Sequence, residues 1–283
     1  ALDMPGVWIL GICALVWTLD CFVGLYLTFP ARRPRETQPH RQAVSADASW
    51  RARWKRAWII KPGNAHRVNF DLHRAGGLWL WAALLIFAWS SVYMNLWDTV
   101  YTWTTRALFE YHPYWTEFQP RPIPMERPGL NWPDAQAVGE RLMATHVAQA
   151  GSTVRRPVAL RLYREFGIYQ YQVETDHEID DRPRRYTTQV WFDADTGVLR
   201  LGLLPRGQYA GNTISNWLYA LHMANVFGVP YRIFVCCVGL VVVMLSVTGV
   251  YLWAKKRRSK AIAHSRRAGS LLVQAASGVQ TEK

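Results

Sequence analysis

Charge is almost absent from three long stretches of this sequence. Residues 7–29 contain one acid, Asp20, and residues 75–97 and 233–254 contain no charged residue. A soluble core disperses its apolar residues at helical or strand spacing, so these runs argue against one. Each run is long enough for hydrocarbon, which takes roughly 20 residues at ~1.5 Å rise. Cysteine is also scarce. All four, Cys13, Cys21, Cys236 and Cys237, lie in the apolar runs, which excludes a structural disulfide from the segment between the second and third runs. Cys236 and Cys237 are adjacent and point about 100° apart on a helix, so they do not make a metal-ligand pair.

Acids are outnumbered 20 to 33, and their distribution fixes an orientation. Residues 30–72, with Arg74, carry 11 Lys plus Arg against 3 acids, and the chain after Trp253 carries 8 against 1. Residues 98–230 carry 13 Arg against 14 acids. Basic loops stay in the cytoplasm, so the expected layout places the N terminus and the large middle segment outside. The net charge of +13 is then a topology signal and gives no reason to expect nucleic acid. Anionic lipid headgroups should attract the basic loops. The expected parts are a first transmembrane helix in 1–29, a basic cytoplasmic loop in 30–74 and a second helix in 75–97. A periplasmic domain in 98–221, a third helix with its periplasmic approach in 222–254 and a basic cytoplasmic tail in 255–283 complete them.

What is present at the ends of the runs is histidine. His73 stands in Phe70-Asp71-Leu72-His73-Arg74-Ala75-Gly76-Gly77 and His222 in Leu221-His222-Met223. Neutral imidazole is a common iron ligand, its other ring nitrogen held by a hydrogen bond. The expected topology sets the two about a bilayer thickness apart, ~30 Å, so they serve two sites. Arg74 and Arg232 are candidates for haem propionates, or simply interfacial anchors. Gly76, Gly77 and Gly249 would admit a porphyrin face, or close helix packing. His66, seven residues before His73, is a second cytoplasmic candidate, and His112 a second candidate outside. His40, His146, His177 and His264 have no partner pattern and are expected to be solvated. Trp79, Trp81 and Trp89 pack the second run or line a space between cofactors. Asp20 is expensive in a membrane and needs a partner, most simply a hydroxyl such as Ser246 or Thr248, or else a proton-relay or cofactor role.

The first and third runs align at a shift of 225, which matches Pro5 with Pro230, Gly24 with Gly249, Tyr26 with Tyr251 and Leu27 with Leu252. Both runs end in basic clusters, Arg32-Arg33 and Lys255-Lys256-Arg257-Arg258. The counterpart of His222 would fall just before Ala1. The expectation is therefore that an earlier helix and exported domain belong to a missing N-terminal half, a preceding subunit or a second copy, which would supply further haem ligands.

The exported segment opens on aromatic residues, with Tyr111, Tyr114, Trp115 and Phe118 expected in an interfacial belt or a substrate-contacting surface. Asn131-Trp132-Pro133-Asp134 begins a helix through Ala150. Strands are expected over 157–164, 168–175 and 185–192, with a turn at Asp193-Ala194-Asp195-Thr196-Gly197 and a last short strand over 198–201. The acids Glu174, Asp176, Glu178, Asp180 and Asp181 read as a solvated loop or a contact for a cation or basic ligand. No hydrolytic triad or metal cluster is seen.

With these motifs, Gly24-Leu25-Tyr26-Leu27-Thr28, Leu72-His73-Arg74, Leu221-His222 and Thr248-Gly249-Val250-Tyr251-Leu252-Trp253, the chain resembles the PepSY-associated transmembrane family of bacterial inner-membrane proteins. The resemblance implies an α-helical membrane protein, its three transmembrane helices part of a four-helix haem-binding core, with a small α+β PepSY-like periplasmic domain. It implies two haem b sites, two of whose four histidines fall on His73 and His222. It also implies an oxidoreductase of the ferric-chelate reductase type acting on ferric siderophore. This sequence lacks the other two histidines. The competing expectation is a non-catalytic scaffold or binding subunit that uses the exported domain, where a sheet edge could add a partner strand.

Overall fold

The computed structural model describes residues 4–30, 49–179, 181 and 187–280, with the side chains of Met4, Trp115 and 263–280 outside that description. Ala1, Arg32, Arg33, His40, Asp180, Arg185 and the His264 ring therefore lie outside the described residues. The chain divides into two compact units, one of Ala1–Thr18 with Leu85–Val235 and one of Leu19–Leu84 with Cys236–Lys283.

Two helices are long and apolar enough to cross a membrane: Pro5–Thr28, within α1 (Met4–Thr28), and Gly228–Ile262, within α8 (Gly228–Gln280). The second apolar run is not one straight helix. It occupies α3 (Ala65–Trp79) and α4 (Trp81–Asn95), bent by 70° at Leu80, and makes a third crossing if the bent pair is one span. Kinks of this size have local causes, and here the Gly76-Gly77 pair lies one turn before the break. The Leu80 amide reaches the Gly76 carbonyl only at 3.4 Å. α3 starts well before the apolar run, capped by Asn64, whose side chain accepts the Arg67 amide at 2.9 Å.

In the second unit a short helix, α2 (Trp50–Lys55), precedes α3. The indole of Trp54 donates to Thr28 Oγ1, that of Trp79 to the Trp58 carbonyl and that of Trp81 to the Cys21 carbonyl. Trp79 and Trp81 thus fasten the two sides of the bend. In the first unit, Ala14 of α1, Val92 and Leu96 of α4, Tyr101 and Leu218 share a core. Trp89 packs there too, 5.7 Å from the Tyr101 ring. A short α5 (Thr102–Leu108) leads away from it.

The sheet domain, within the first unit, is α6 (Trp132–Gln149) on a four-stranded antiparallel sheet in the order β1-β2-β3-β4. The strands are β1 (Val154–Tyr163), β2 (Ile168–Thr175), β3 (Thr188–Asp193) and β4 (Leu199–Leu203). Alternation places Tyr169, Tyr171 and Val173 with Val190 and Phe192 against α6. Gly139 permits the approach, since a Cβ there would lie 2.8 Å from Tyr171 Cγ. Two of the opening aromatics, Tyr114 and Phe118, pack on the sheet. Phe118 stacks on Trp191 at 5.2 Å, and Tyr114 and Phe118 cover the opposite sheet face over Ile168, Trp191 and Leu203. Gly197, at φ 71°, closes the β3–β4 turn. Three of the acids at the end of β2 and just after it have partners within the domain. Glu174 pairs with Arg156 at 2.7 Å, Asp176 accepts from Ser152 and the Thr153 amide, and Glu178 bridges Thr175 and Thr188. A further helix, α7 (Ala210–His222), follows the sheet.

Candidate functional site

His73 lies on α3 where that helix meets α8 in the second unit. Its Nδ1 is 3.1 Å from the Leu245 carbonyl oxygen and 3.0 Å from Thr248 Oγ1. A carbonyl only accepts, and the Thr248 hydroxyl already donates to the Met244 carbonyl at 2.7 Å. Nδ1 therefore carries the proton, and the lone pair sits on Nε2. Gly249 supplies the room, because a Cβ there would lie 3.2 Å from His73 Cε1. The glycine expected to face a porphyrin faces this imidazole. Gly76 abuts Met244, whose Cε would stand 2.9 Å from an added Cβ, so it serves close helix packing; Gly77 only grazes Leu245 at 4.0 Å.

His222 ends α7 in the first unit and repeats the arrangement by other means. Its Nδ1 is 2.7 Å from Ser90 Oγ, and Ser90 in turn donates to the Phe87 carbonyl at 3.0 Å. The serine thus accepts, Nδ1 is again the protonated nitrogen, and Nε2 is again the one with the lone pair. The Phe87 ring packs edge-on at 5.4 Å. Burial pushes the His222 imidazole below its ordinary range, toward the neutral form that a metal binds. The turn after it is strained: Ala224 and Phe227 adopt φ of 52° and 56°, ahead of Gly228 at 64°. Asp181 clamps that turn. Its amide donates to the Asn225 carbonyl at 2.7 Å, and its carboxylate accepts from the Gly228 amide and Arg232 at 3.2 Å.

The two arginines are therefore occupied. Arg232 pairs with Asp181, and Arg74 donates to Asp71 at 2.8 Å and to the Arg56 carbonyl, its Nε buried without a partner among the described residues. A propionate would compete with a carboxylate at either position. Asp71, fully buried, also accepts from Arg67 and the Lys61 amide, which ties the start of α3 to the preceding loop. His66 is on α3 but exposed, its ring 6.4 Å from Tyr251. His112 is 2.6 Å from Glu117 and stacks on Tyr209. His146 is not solvated; it packs over Gly202, and burial lowers its basicity. Asp20 does not bond Ser246 or Thr248, whose hydroxyls return to the Val242 and Met244 carbonyls, and it is exposed with no hydrogen bond to any described residue.

The donor set suits single-imidazole ligation. Among the described residues no group of three or more His, Cys, Asp or Glu side chains converges on an ion, whereas a haem iron asks one imidazole per axial position. Each histidine has its Nδ1 fixed by an oxygen acceptor, as ligating histidines require, and keeps Nε2 free of hydrogen bonds among the described residues. Ser90, Phe87 and Asp181 had no signature in the sequence as parts of this arrangement. A hydroxyl two turns before the end of an apolar run looks like any helix-packing serine.

A family model for the PepSY-associated TM region matches residues 1–256. No curated protein matches the chain.

Proposed function

This chain belongs to the PepSY-associated transmembrane family of membrane proteins, and on that premise we propose that it transfers electrons across the bacterial inner membrane to a periplasmic acceptor, ferric siderophore. The observation that carries the reading is the shared arrangement of two histidines on separate elements, each with Nδ1 within hydrogen-bond distance of an oxygen and Nε2 without a hydrogen bond among the described residues.

On this reading His73 and His222 each hold one haem b by Nε2, with the remaining ligands supplied from outside the chain. Haem, when bound, supplies the one-electron redox chemistry. The residues do the rest. Leu245, Thr248 and Gly249 fix the His73 ring, while Ser90 and Phe87 fix that of His222. The basic bias of 30–74 and of the tail supports placing the His73 end in the cytoplasm and the sheet domain in the periplasm. No proton donor or acceptor pair is needed, because adding an electron to chelated ferric iron breaks no covalent bond. The ferrous ion produced is held less firmly by oxygen donors made for ferric iron.

A second reading is a binding subunit. β4 lies at the sheet edge, with Val198 and Leu199 58% and 43% exposed, a surface to which an extended partner could add a strand. Stopped-flow mixing of the reduced protein, purified with its membrane partners, against a ferric hydroxamate or catecholate chelate separates the two. Oxidation of b-type bands with stoichiometric ferrous release is expected. Reduced bands that persist on mixing would sink the ferric-chelate assignment.

A further inference from the structure

Polar side chains buried on a sheet face are costly unless they are bonded, and a chain of them in the sheet domain leaves donors unused at one end. On the face opposite α6, Arg161 donates to Gln170 Oε1 at 3.2 Å and to Gln172 Oε1. A guanidinium only donates, so both glutamine oxygens are committed to it. Their amide nitrogens turn to Gln189 Oε1, which accepts from Gln170 Nε2 and, at 3.3 Å, from Gln172 Nε2. Gln189 is 4% exposed. Its own Nε2 is left with two N–H donors and no hydrogen bond among the described residues.

Gln189 lines a cleft of about 330 Å³, its mouth included, between the sheet and α7. Two further groups there have capacity left. Thr187 is 1% exposed, and its Oγ1 is buried with no partner among the described residues. Asn216 donates Nδ2 to the Pro205 carbonyl at 2.8 Å, which fixes the amide and leaves Oδ1 as an unused acceptor among the described residues. The other two amides of the lining are closed. Gln208 bonds the Gly202 carbonyl and the Leu204 amide, and Asn212 bonds both backbone groups of His112. Tyr114, Tyr209 and Leu203 supply apolar wall, and no lining residue is charged.

An amide donor, an amide acceptor and a hydroxyl thus surround an uncharged space with aromatic walls. A carboxylate or an ammonium would be desolvated there without a counter-ion. A purely apolar group would leave all three polar groups unbonded. We propose that the cleft binds a small uncharged molecule that carries a primary carboxamide on a flat apolar body. Its carbonyl accepts from Gln189 Nε2 and the Thr187 hydroxyl, its NH₂ donates to Asn216 Oδ1, and its body lies against the tyrosines. Asn216 precedes His222 by six residues on α7, about 9 Å along the helix. The site is therefore separate from the histidine seat. It requires no haem, so it stands or falls apart from the electron-transfer reading.

Benzamide is the probe, titrated by saturation-transfer difference NMR against the chain purified with its membrane partners, beside benzoate and acetophenone. Saturable benzamide binding is expected. Benzoate, charged at neutral pH, should bind about tenfold more weakly or worse, and acetophenone, which lacks the N–H donors, about 2–10-fold more weakly. Thr187→Val keeps the side-chain shape and should weaken benzamide by about 2–10-fold. The same variant should leave thermal unfolding unchanged or raised, because the hydroxyl it removes is buried without a partner among the described residues. Failure of benzamide to bind, which leaves the cleft to solvent, overturns the proposal. So does benzoate binding as well as benzamide, or benzamide binding that is indifferent to Thr187→Val.

Discussion

His73 and His222 reach the same protonation pattern through unequal supports. His73 is held by a backbone carbonyl, backed by Thr248 and shaped by Gly249. His222 hangs on one serine hydroxyl, at the end of a helix followed by a strained turn that Asp181 clamps. A backbone acceptor survives any side-chain substitution, whereas a hydroxyl does not. The His73 seat should therefore be vulnerable to steric change, and the His222 seat to loss of a single polar atom.

The largest break in this comparison should come from Gly249→Leu. A Cβ at 3.2 Å from the imidazole is already tight, and the further carbons have to displace it. Overpacking of this kind costs about 1–3 kcal/mol, and the His73-dependent haem band should disappear in difference spectra while the His222-dependent band persists. Ser90→Ala comes next. It strands the buried Nδ1–H of His222 at about 1–3 kcal/mol and should weaken haem at that site by about 10–100-fold, the usual loss when the partner orienting a ligand is removed; titration with haem reads it directly. Thr248→Val, the matching deletion at His73, should be milder, at about 1 kcal/mol or less, because the Leu245 carbonyl remains. Equal losses in Ser90→Ala and Thr248→Val would erase the distinction between the two seats.

The smallest effect lies away from both seats, in the β3–β4 turn. Burial pushes the Asp193 carboxyl up, but the Arg200 guanidinium, the Thr196 amide and hydroxyl and the Asp195 amide outweigh it and hold it at about 2. A carboxyl lowered on folding stabilises above its ordinary range near ~4. That contribution should fade as pH falls from about 4 toward about 2, and Asp193→Asn should flatten this part of the melting-temperature profile. The two haem signals should not respond.

The sequence made some of this legible and hid the rest for physical reasons. β2 was readable residue by residue, because Tyr169, Tyr171 and Val173 alternate with polar neighbours. The Asn131 cap likewise marked the start of α6, accepting the Asp134 amide at 3.0 Å. The 70° bend at Leu80 was not readable, since the run stays apolar on both sides of the break and hydropathy carries no angle. His73 and His222 stood out at the ends of charge-free runs, yet their acceptors did not. Leu245 contributes a backbone oxygen, and no side chain announces that. Arg74 and Arg232 looked free to meet an anion because their carboxylates, Asp71 and Asp181, come from a buried helix face and a distant loop.

The central claim is that the two imidazoles hold two separate haems. Its most direct test is pyridine-haemochrome quantification with reduced-minus-oxidised spectra of the chain purified with its membrane partners, in wild type, His73→Ala and His222→Ala. Two b-type haems in the wild type, and a different one lost in each variant, is the predicted result. A fully partnered wild-type protein without haem, or variants that keep both, would contradict it.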